Sequence, residues 1–261
     1  MSDNRTEYWG SVATAWSRGH PQRLWRAHSD AENRALLGRW LPSRCGRILK
    51  TDAFDEAFGE GLVSVLSERA DEVWMIDLSE TVAAEARRRQ ALAHAAVADV
   101  RRLPFSSGSF SAVVSISTLD HLDSLADIED ALGEIHRVLE PGGCLVVTLD
   151  NPENPVVGLR NSLPWPWLHR FRLVPYYVGA TLDRRDLARA LDRVGFDVMG
   201  LDAIQHAPRA LAVAGGRIVS SVGWGWAERG FLRAISGFER AGRWRSRFRT
   251  GYFVAARAVR R

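Results

Sequence analysis

Asp77 closes the apolar run Val73-Trp74-Met75-Ile76, and Asp99 closes the run Ala96-Val97-Ala98. A carboxylate at the end of a buried strand can accept both hydroxyls of a ribose, and one at the next strand end can accept the exocyclic amine of an adenine. Either acid alone reads equally well as a helix N-cap. Two of them at consecutive strand ends favour a ligand site. Proton chemistry is offered by two histidines. His121, with Asp120 beside it, follows the apolar run Ala112 to Ser117, and His206 follows Phe196 to Ile204. An imidazole with a free pKa of about 6.5 and a neighbouring carboxylate can deprotonate a hydroxyl. The plainer reading is that His121 caps a helix or packs beneath a ligand.

These residues need a sheet to bring them together. Apolar runs at 47–49, 73–76, 96–98, 112–117 and 144–149 read as five strands. Between them, Thr81 to Ala93 is rich in Ala and Arg, and Asp127 to Leu139 places Ile128, Leu132, Ile135 and Leu139 on one helical face. Pro141-Gly142-Gly143 is the expected stop of that helix. Such alternation means βαβ units and a parallel sheet buried on both faces. Leu182 to Val194 reads as a further helix ended by Gly195, with Phe196–Ile204 and residues 251–258 as a sixth and a seventh strand. The expected architecture is α/β: a Rossmann-like, doubly wound, seven-stranded, mostly parallel sheet with helical lid insertions. One domain would span 1–261, its core at 46–149, 181–204 and 249–259. Lid elements would occupy 1–41, 151–180 and 205–248. Connections that long inside a compact domain are usually functional.

From Gly46 to Leu149 the chain resembles the class I S-adenosylmethionine-dependent methyltransferases of the small-molecule type, such as those of ubiquinone and menaquinone biosynthesis. The resemblance rests on Asp99 through Leu103-Pro104-Phe105, on Gly108-Ser109-Phe110, on Ser115 through Leu122 and on Glu134 through Gly143, in that order. It implies a seven-stranded sheet with a C-terminal antiparallel pair and S-adenosylmethionine as cofactor. Asp77 and Leu78 would then hold the ribose, Asp99 and Val100 the adenine, and Ser117, Thr118 and Leu122 would flank the methyl group.

The first loop departs from the family, whose acid-x-Gly-x-Gly-x-Gly follows an apolar strand and lets the backbone approach the cofactor. Here the stretch runs Ile48-Leu49-Lys50-Thr51-Asp52-Ala53-Phe54-Asp55-Glu56-Ala57-Phe58-Gly59-Glu60-Gly61. In one register Asp55, Ala57, Gly59 and Gly61 form the motif, but its strand would contain Lys50 and Asp52. In the other the strand ends at Leu49, Lys50 replaces the acid, and Thr51 and Asp52 begin a glycine-poor loop. Burial favours the second. Either register supplies an acid, Asp52 or Asp55, near the methionine amine. Ser111 stands where the family usually has Asp.

Composition narrows the remaining classes. Of 261 residues, 46% are hydrophobic and 25% charged, ordinary for a globular chain. Two cysteines, Cys45 and Cys144, make no disulfide framework and lack metal-ligand spacing, so no metal is expected. The polar opening Met1 to Arg5 and the absence of a long apolar stretch lead to an expected cytoplasmic location without a transmembrane segment. Charge is uneven: −7 over residues 1–150 and +11 over 151–261. Those arginines are interleaved with Phe, Trp, Gly and Ala and are framed by no nucleic-acid motif, so a small molecule rather than nucleic acid is the expected partner. Nine of ten tryptophans lie outside 46–149, most densely at Trp165-Pro166-Trp167 and Trp224-Gly225-Trp226. Most would staple helices to the core. An aromatic lid from these pairs would suit a bulky apolar or aromatic substrate methylated on oxygen or nitrogen. Trp165 and Trp167, with Arg170 and Arg172, could instead touch a membrane surface. Two rival functions keep the fold: an enzyme that holds the cofactor for a cyclisation or rearrangement, and a scaffold whose cofactor cleft is filled by Phe54 or Phe58.

Overall fold

The computed structural model describes residues 2–17, 22–163, 167 and 177–261. Seven strands form one sheet: β1 (Cys45–Lys50), β2 (Ala70–Asp77), β3 (His94–Val97), β4 (Phe110–Ile116), β5 (Leu139–Asp150), β6 (Phe196–Ile204) and β7 (Phe253–Arg260). Their order is β3-β2-β1-β4-β5-β7-β6. β1 to β5 pair in parallel, and β7 lies antiparallel between β5 and β6. The strand order reverses between β1 and β4, and clefts in open α/β sheets form at such a reversal, beyond the carboxyl ends. The seven-stranded sheet with its antiparallel C-terminal pair is the one the resemblance implied.

Local chemistry accounts for the elements. Central β4 and β5 are buried nearly throughout, as strands covered on both faces must be. In chain order the helices are α1 (Ser2–Ser17), α2 (Arg23–Trp40), α3 (Phe54–Phe58), α4 (Val63–Ser67), α5 (Glu80–Arg89), α6 (Leu125–Val138), α7 (Pro155–Ser162), α8 (Arg184–Val194), α9 (Arg209–Val222), α10 (Gly225–Ser236) and α11 (Arg247–Thr250). α6 buries Ile128, Ala131, Leu132, Ile135 and Val138 along one stripe. Its start is fixed by Ser124, whose hydroxyl accepts from the Asp127 N–H. Asp183 caps α8 in the same way, and Gly195, at φ 109°, ends it as expected. None of the described helices is long and apolar enough to cross a membrane.

Two boundaries differ from expectation. α6 stops at Val138 and passes directly into β5, so Pro141-Gly142-Gly143 lies within the strand. There it makes a register break: β4 pairs Phe110 with Leu139, then Ala112 with Cys144. Gly142 takes φ 77°, which a residue with a Cβ resists. The first strand runs one residue past Leu49 and includes Lys50, because that ammonium is paired rather than solvated.

Helices from both ends of the chain complete the fold. α9 and α10 pack against α2, where Trp25, Ala207, Ala212 and Ile235 form a small core of their own. α1 lies over α3 and α5, with Ala13 in the cluster that holds Ala57 and Met75. Among the described residues, the expected helical stretch 1–41 thus holds two helices, α1 and α2, which both pack over the sheet.

Candidate active site at the carboxyl ends of the strands

One cleft runs across the strand ends. On the β1–β2–β3 flank it is lined by Thr51, Asp52, Asp77, Leu78, Asp99 and Val100, all expected there from the sequence. In the middle Ser117, Thr118, His121 and Leu122 join them. Asp77 is the last residue of β2, where its two carboxylate oxygens accept from the N–H of Ala53 (3.2 Å) and of Ser79 (2.8 Å). A carboxylate has about four lone-pair sites, so two remain for further donors. Burial raises the Asp77 pKa to about 6, against the opposing bond from the Ser79 backbone. Asp99 is held by Arg101, whose guanidinium also bridges to Asp127; both Arg101 contacts are 2.6 Å. That clamp fixes the orientation of Asp99 at the cleft rim.

The first loop is close to the second register: β1 ends at Lys50, and Thr51 and Asp52 begin a glycine-poor loop that lines the cleft. α3 follows, and Gly59 and Gly61 lie outside the cleft lining. Gly61, at φ 59°, clears the Glu56 side chain, which an added Cβ would meet at 2.6 Å. Its glycine therefore serves packing. Lys50 also lies beneath the cleft rather than in it. It donates to Asp52 (2.7 Å) and to Glu56 (2.9 Å). Burial works against its ammonium, but those two carboxylates outweigh it and keep Lys50 protonated. Asp52 is thereby turned so that its other oxygen accepts from the Thr118 hydroxyl at 3.3 Å. Thr51 shares hydrogen bonds with Ser115 (2.9 Å) and Thr118 (3.0 Å), which ties the end of β1 to that of β4. Asp55 reaches the cleft from α3, paired with Arg26 at 2.7 Å. Ser111 is spent on the Arg47 carbonyl at 3.1 Å.

The three candidate proton carriers separate. His121 lines the cleft, packs on Trp9 with ring centroids 4.8 Å apart, and points Nδ1 at the Tyr177 carbonyl at 2.8 Å. A carbonyl only accepts, so Nδ1 carries the proton and Nε2 the basic lone pair in the neutral ring. Asp120 does not assist it. That carboxylate is fully buried and accepts from Ser117 Oγ and the Asp150 N–H, both at 3.0 Å. His206 is not in the cleft lining; its ring bonds Thr250 Oγ1 (2.8 Å) and the Ala203 carbonyl (3.0 Å). It staples β6 to α11, and both ring nitrogens are used. A neighbouring group, His28, Glu32 and Glu239, brings possible metal ligands within 4.8 Å of one another. Glu239 is already engaged by His28 Nε2 and by the N–H groups of His206 and Ala207, so this cluster is a structural knot.

An aromatic roof is present, but from other tryptophans. Trp9 and Trp16 of α1, seven residues apart on one face, and Trp25 of α2 line the cleft with Phe54 and Phe253. Trp224 and Trp226 are exposed and stack on each other at 5.5 Å, Trp167 is exposed, and Trp165, Arg170 and Arg172 lie outside the described residues. Phe54 forms part of the wall, and Phe58 is not in the lining, so neither fills the cleft.

Sequence reasoning missed the opposite flank. Asp30 and Asn33 of α2, Gln205 just past β6, and Arg209 also line the cleft. Burial, then the charge of Asp55, raises the Asp30 pKa to about 7. Gln205 and Ser117 hold left-handed backbone, at φ 58° and 49°, where residues with a Cβ are strained. Strain of that kind gathers at sites that bind.

Comparison with known proteins adds three findings. Residues 54–147 match a family model described as a methyltransferase domain. Among curated proteins, the malonyl-[acyl-carrier protein] O-methyltransferase of Enterobacter lignolyticus is 35% identical over 142 residues, 53% of each chain. The ubiquinone/menaquinone biosynthesis C-methyltransferase of Cereibacter sphaeroides is 35% identical over 138 residues, 49% of each chain. The chain spans about half the length of the curated relatives it matches. Among solved structures, a geranyl diphosphate C-methyltransferase from Streptomyces coelicolor, in complex with S-adenosyl-L-homocysteine, superposes with a TM-score of 0.58 at 18% identity. That alignment covers 88% of this chain and 77% of the other, and shows a shared fold.

Proposed function

We propose that the chain, whose residues 54–147 match a methyltransferase domain, is a class I S-adenosylmethionine-dependent methyltransferase that methylates an oxygen or nitrogen of a small, largely apolar or aromatic molecule. The observation that carries this reading is the placement of Asp77 and Asp99 in one cleft, under an aromatic roof. S-adenosylmethionine, when bound, supplies an electrophilic methyl carbon on a sulfonium. The chain's own residues bind, orient and exclude water. Asp77 is fitted to accept two ribose hydroxyls, since its backbone bonds leave lone pairs over. Asp99, clamped by Arg101, stands where the resemblance puts the adenine amine, with Leu78 and Val100 as apolar walls. Thr51 and Asp52 stand at the methionine end, and Ser117, Thr118 and Leu122 stand at the middle of the cleft. Trp9, Trp16 and Trp25 keep water out and suit a flat or apolar acceptor. His121 is the candidate base in the cleft. Lys50, Asp120 and His206 act on the fold around it.

Calorimetric titration with S-adenosylmethionine and S-adenosylhomocysteine tests the cofactor. The expected dissociation constant is about 1–100 μM; no binding at millimolar cofactor would overturn the reading. Tight binding with no acceptor-dependent S-adenosylhomocysteine formation would favour a same-fold enzyme that steers a cyclisation or rearrangement.

A peripheral contact with an anionic lipid surface is the partner reading that the exterior supports. Leu211 and Ile218 of α9 and Trp224 and Trp226 beside it are exposed, and Arg217, Arg229 and Arg233 lie close in sequence. Flotation with vesicles containing phosphatidylglycerol should carry the protein up, less so at 0.5 M salt (roughly half of the physiological Debye length is lost). No flotation at low salt would remove it.

A further inference from the structure

We propose that Asp30, Asn33 and Gln205 form the polar end of the acceptor subsite, which takes a hydroxyl or amine hydrogen carried by an otherwise apolar molecule. The inference rests on the methyltransferase reading above and names its substrate class. Asn33 and Gln205 are 3% and 1% exposed, and both line the cleft. Among the described residues, Asn33 Oδ1 and Gln205 Oε1 have no hydrogen-bond partner. A buried carbonyl left without a donor is costly, and a native fold seldom tolerates two in one place without use.

The three side chains are brought together by the fold. Asp30 and Asn33 are one turn apart on α2 and share its inner face. Gln205 meets that face from β6: its Nε2 donates to Ser29 Oγ at 2.8 Å, across 176 residues of chain. The bond anchors the amide and leaves the oxygen as its remaining group. The Gln205 backbone is held at φ 58° by the Tyr252 N–H, which donates to the Gln205 carbonyl at 3.0 Å. A glycine would take that conformation freely, so the site keeps a glutamine where backbone geometry argues against one.

The chemistry of the set selects its ligand. Two amide carbonyl oxygens accept hydrogen bonds, as does the Asp30 carboxyl when ionised, so the complement is a donor. Two cations also reach the cleft, but Arg26 is paired with Asp55 and stacked on Trp16, and Arg209 lies over Trp25 and Tyr252. Trp25 and Phe253 supply apolar walls on this flank. A site built to bond an O–H or N–H rejects the analogue without one far more strongly than it rejects a change in apolar bulk.

Equilibrium dialysis of four probes against protein saturated with S-adenosylhomocysteine tests this: 1-naphthylmethanol, 1-naphthylmethylamine, 1-ethylnaphthalene and 1-naphthaleneacetic acid. The alcohol or the amine should bind at least about tenfold more tightly than the hydrocarbon, and which of the two leads identifies a hydroxyl or an amine acceptor. In Asn33→Ala and Gln205→Ala, with cofactor affinity and melting profile retained, the gap should shrink severalfold. Equal binding of alcohol, amine and hydrocarbon, or tightest binding of the acid, would overturn the proposal in the wild-type protein alone. Failure of S-adenosylhomocysteine itself to bind would instead overturn the cofactor reading beneath it.

Discussion

Lys50 Nζ lies 2.9 Å from Glu56 Oε2, with both side chains buried beneath the end of β1. Glu56 Oε1 accepts from the Leu62 N–H at 2.9 Å, and Lys50 also holds Asp52. A motif position that would carry an acid in the family therefore carries the opposite charge, with its counter-charges supplied by Asp52 of the loop and Glu56 of α3. Lys50→Met should destabilise the protein by about 3–5 kcal/mol, because Glu56 is left buried and unpaired. Lys50→Met with Glu56→Gln should recover most of the loss, since the glutamine still accepts from Leu62. Urea unfolding of the two variants checks this; equal losses would mean the pair is not coupled.

Asp77 protonates near pH 6, because burial disfavours its charge. The charged form is the better acceptor for ribose hydroxyls. S-adenosylhomocysteine affinity should be flat above about pH 7 and fall below pH 6, by up to about tenfold per unit. Asp77→Asn should bind at least about tenfold more weakly and lose that pH dependence. Calorimetry from pH 5 to 8 decides it; the same pH profile in the variant would remove Asp77 from the ribose site.

Asp30 protonates near pH 7 in the fold, against 3.8 ordinarily. Between those values the folded state keeps a proton that the unfolded chain releases, so stability falls as pH rises through the window. Above about pH 7 the full penalty is present. Asp30→Asn should therefore be more stable than wild type at pH 8, on the order of 2 kcal/mol. The two should converge near pH 4. Thermal melts across that range test it, and a constant offset would mean that Asp30 is not the titrating group.

The two histidines should part company. His206→Ala should cost about 1–3 kcal/mol, since Thr250 and the Ala203 carbonyl lose their partner, with cofactor affinity unchanged. His121→Ala should cost under about 1 kcal/mol in stability and lower turnover about 10²-fold or more if it acts as base. A loss below tenfold at saturating cofactor would reduce His121 to a packing residue against Trp9.

The flank at β1 to β3 was legible in the sequence because each acid directly ends an apolar run. Asp77, Leu78, Asp99 and Val100 all line the cleft as the runs foretold. The β6 and α8 elements were legible for the same local reason, down to Gly195. What misled was spacing without context: Gly59 and Gly61 fit a loop motif, yet one ends a short helix and the other clears a side chain. Dense tryptophan pairs drew attention to Trp224 and Trp226, which face solvent, while Trp9, Trp16 and Trp25 converge only through helix packing. Asp30 and Asn33 carry no signal of their own in the sequence. Their burial depends on β6 and on helices about 175 residues away (Ser29 to Gln205), which no local pattern encodes.

The interior position of β7 has a consequence for how the molecule comes into being. β7, the latest in chain order of the seven described strands, is not an edge strand; it is inserted between β5 and β6. Until residues 253–260 leave the ribosome, β5 carries a row of unpaired backbone groups and β6 has no neighbour in the sheet. The flank at β1 to β3 is held by residues that precede 130, whereas the wall formed by Gln205 and Phe253 waits for β7. A nascent chain can therefore hold one flank of the cleft well before the opposite wall exists.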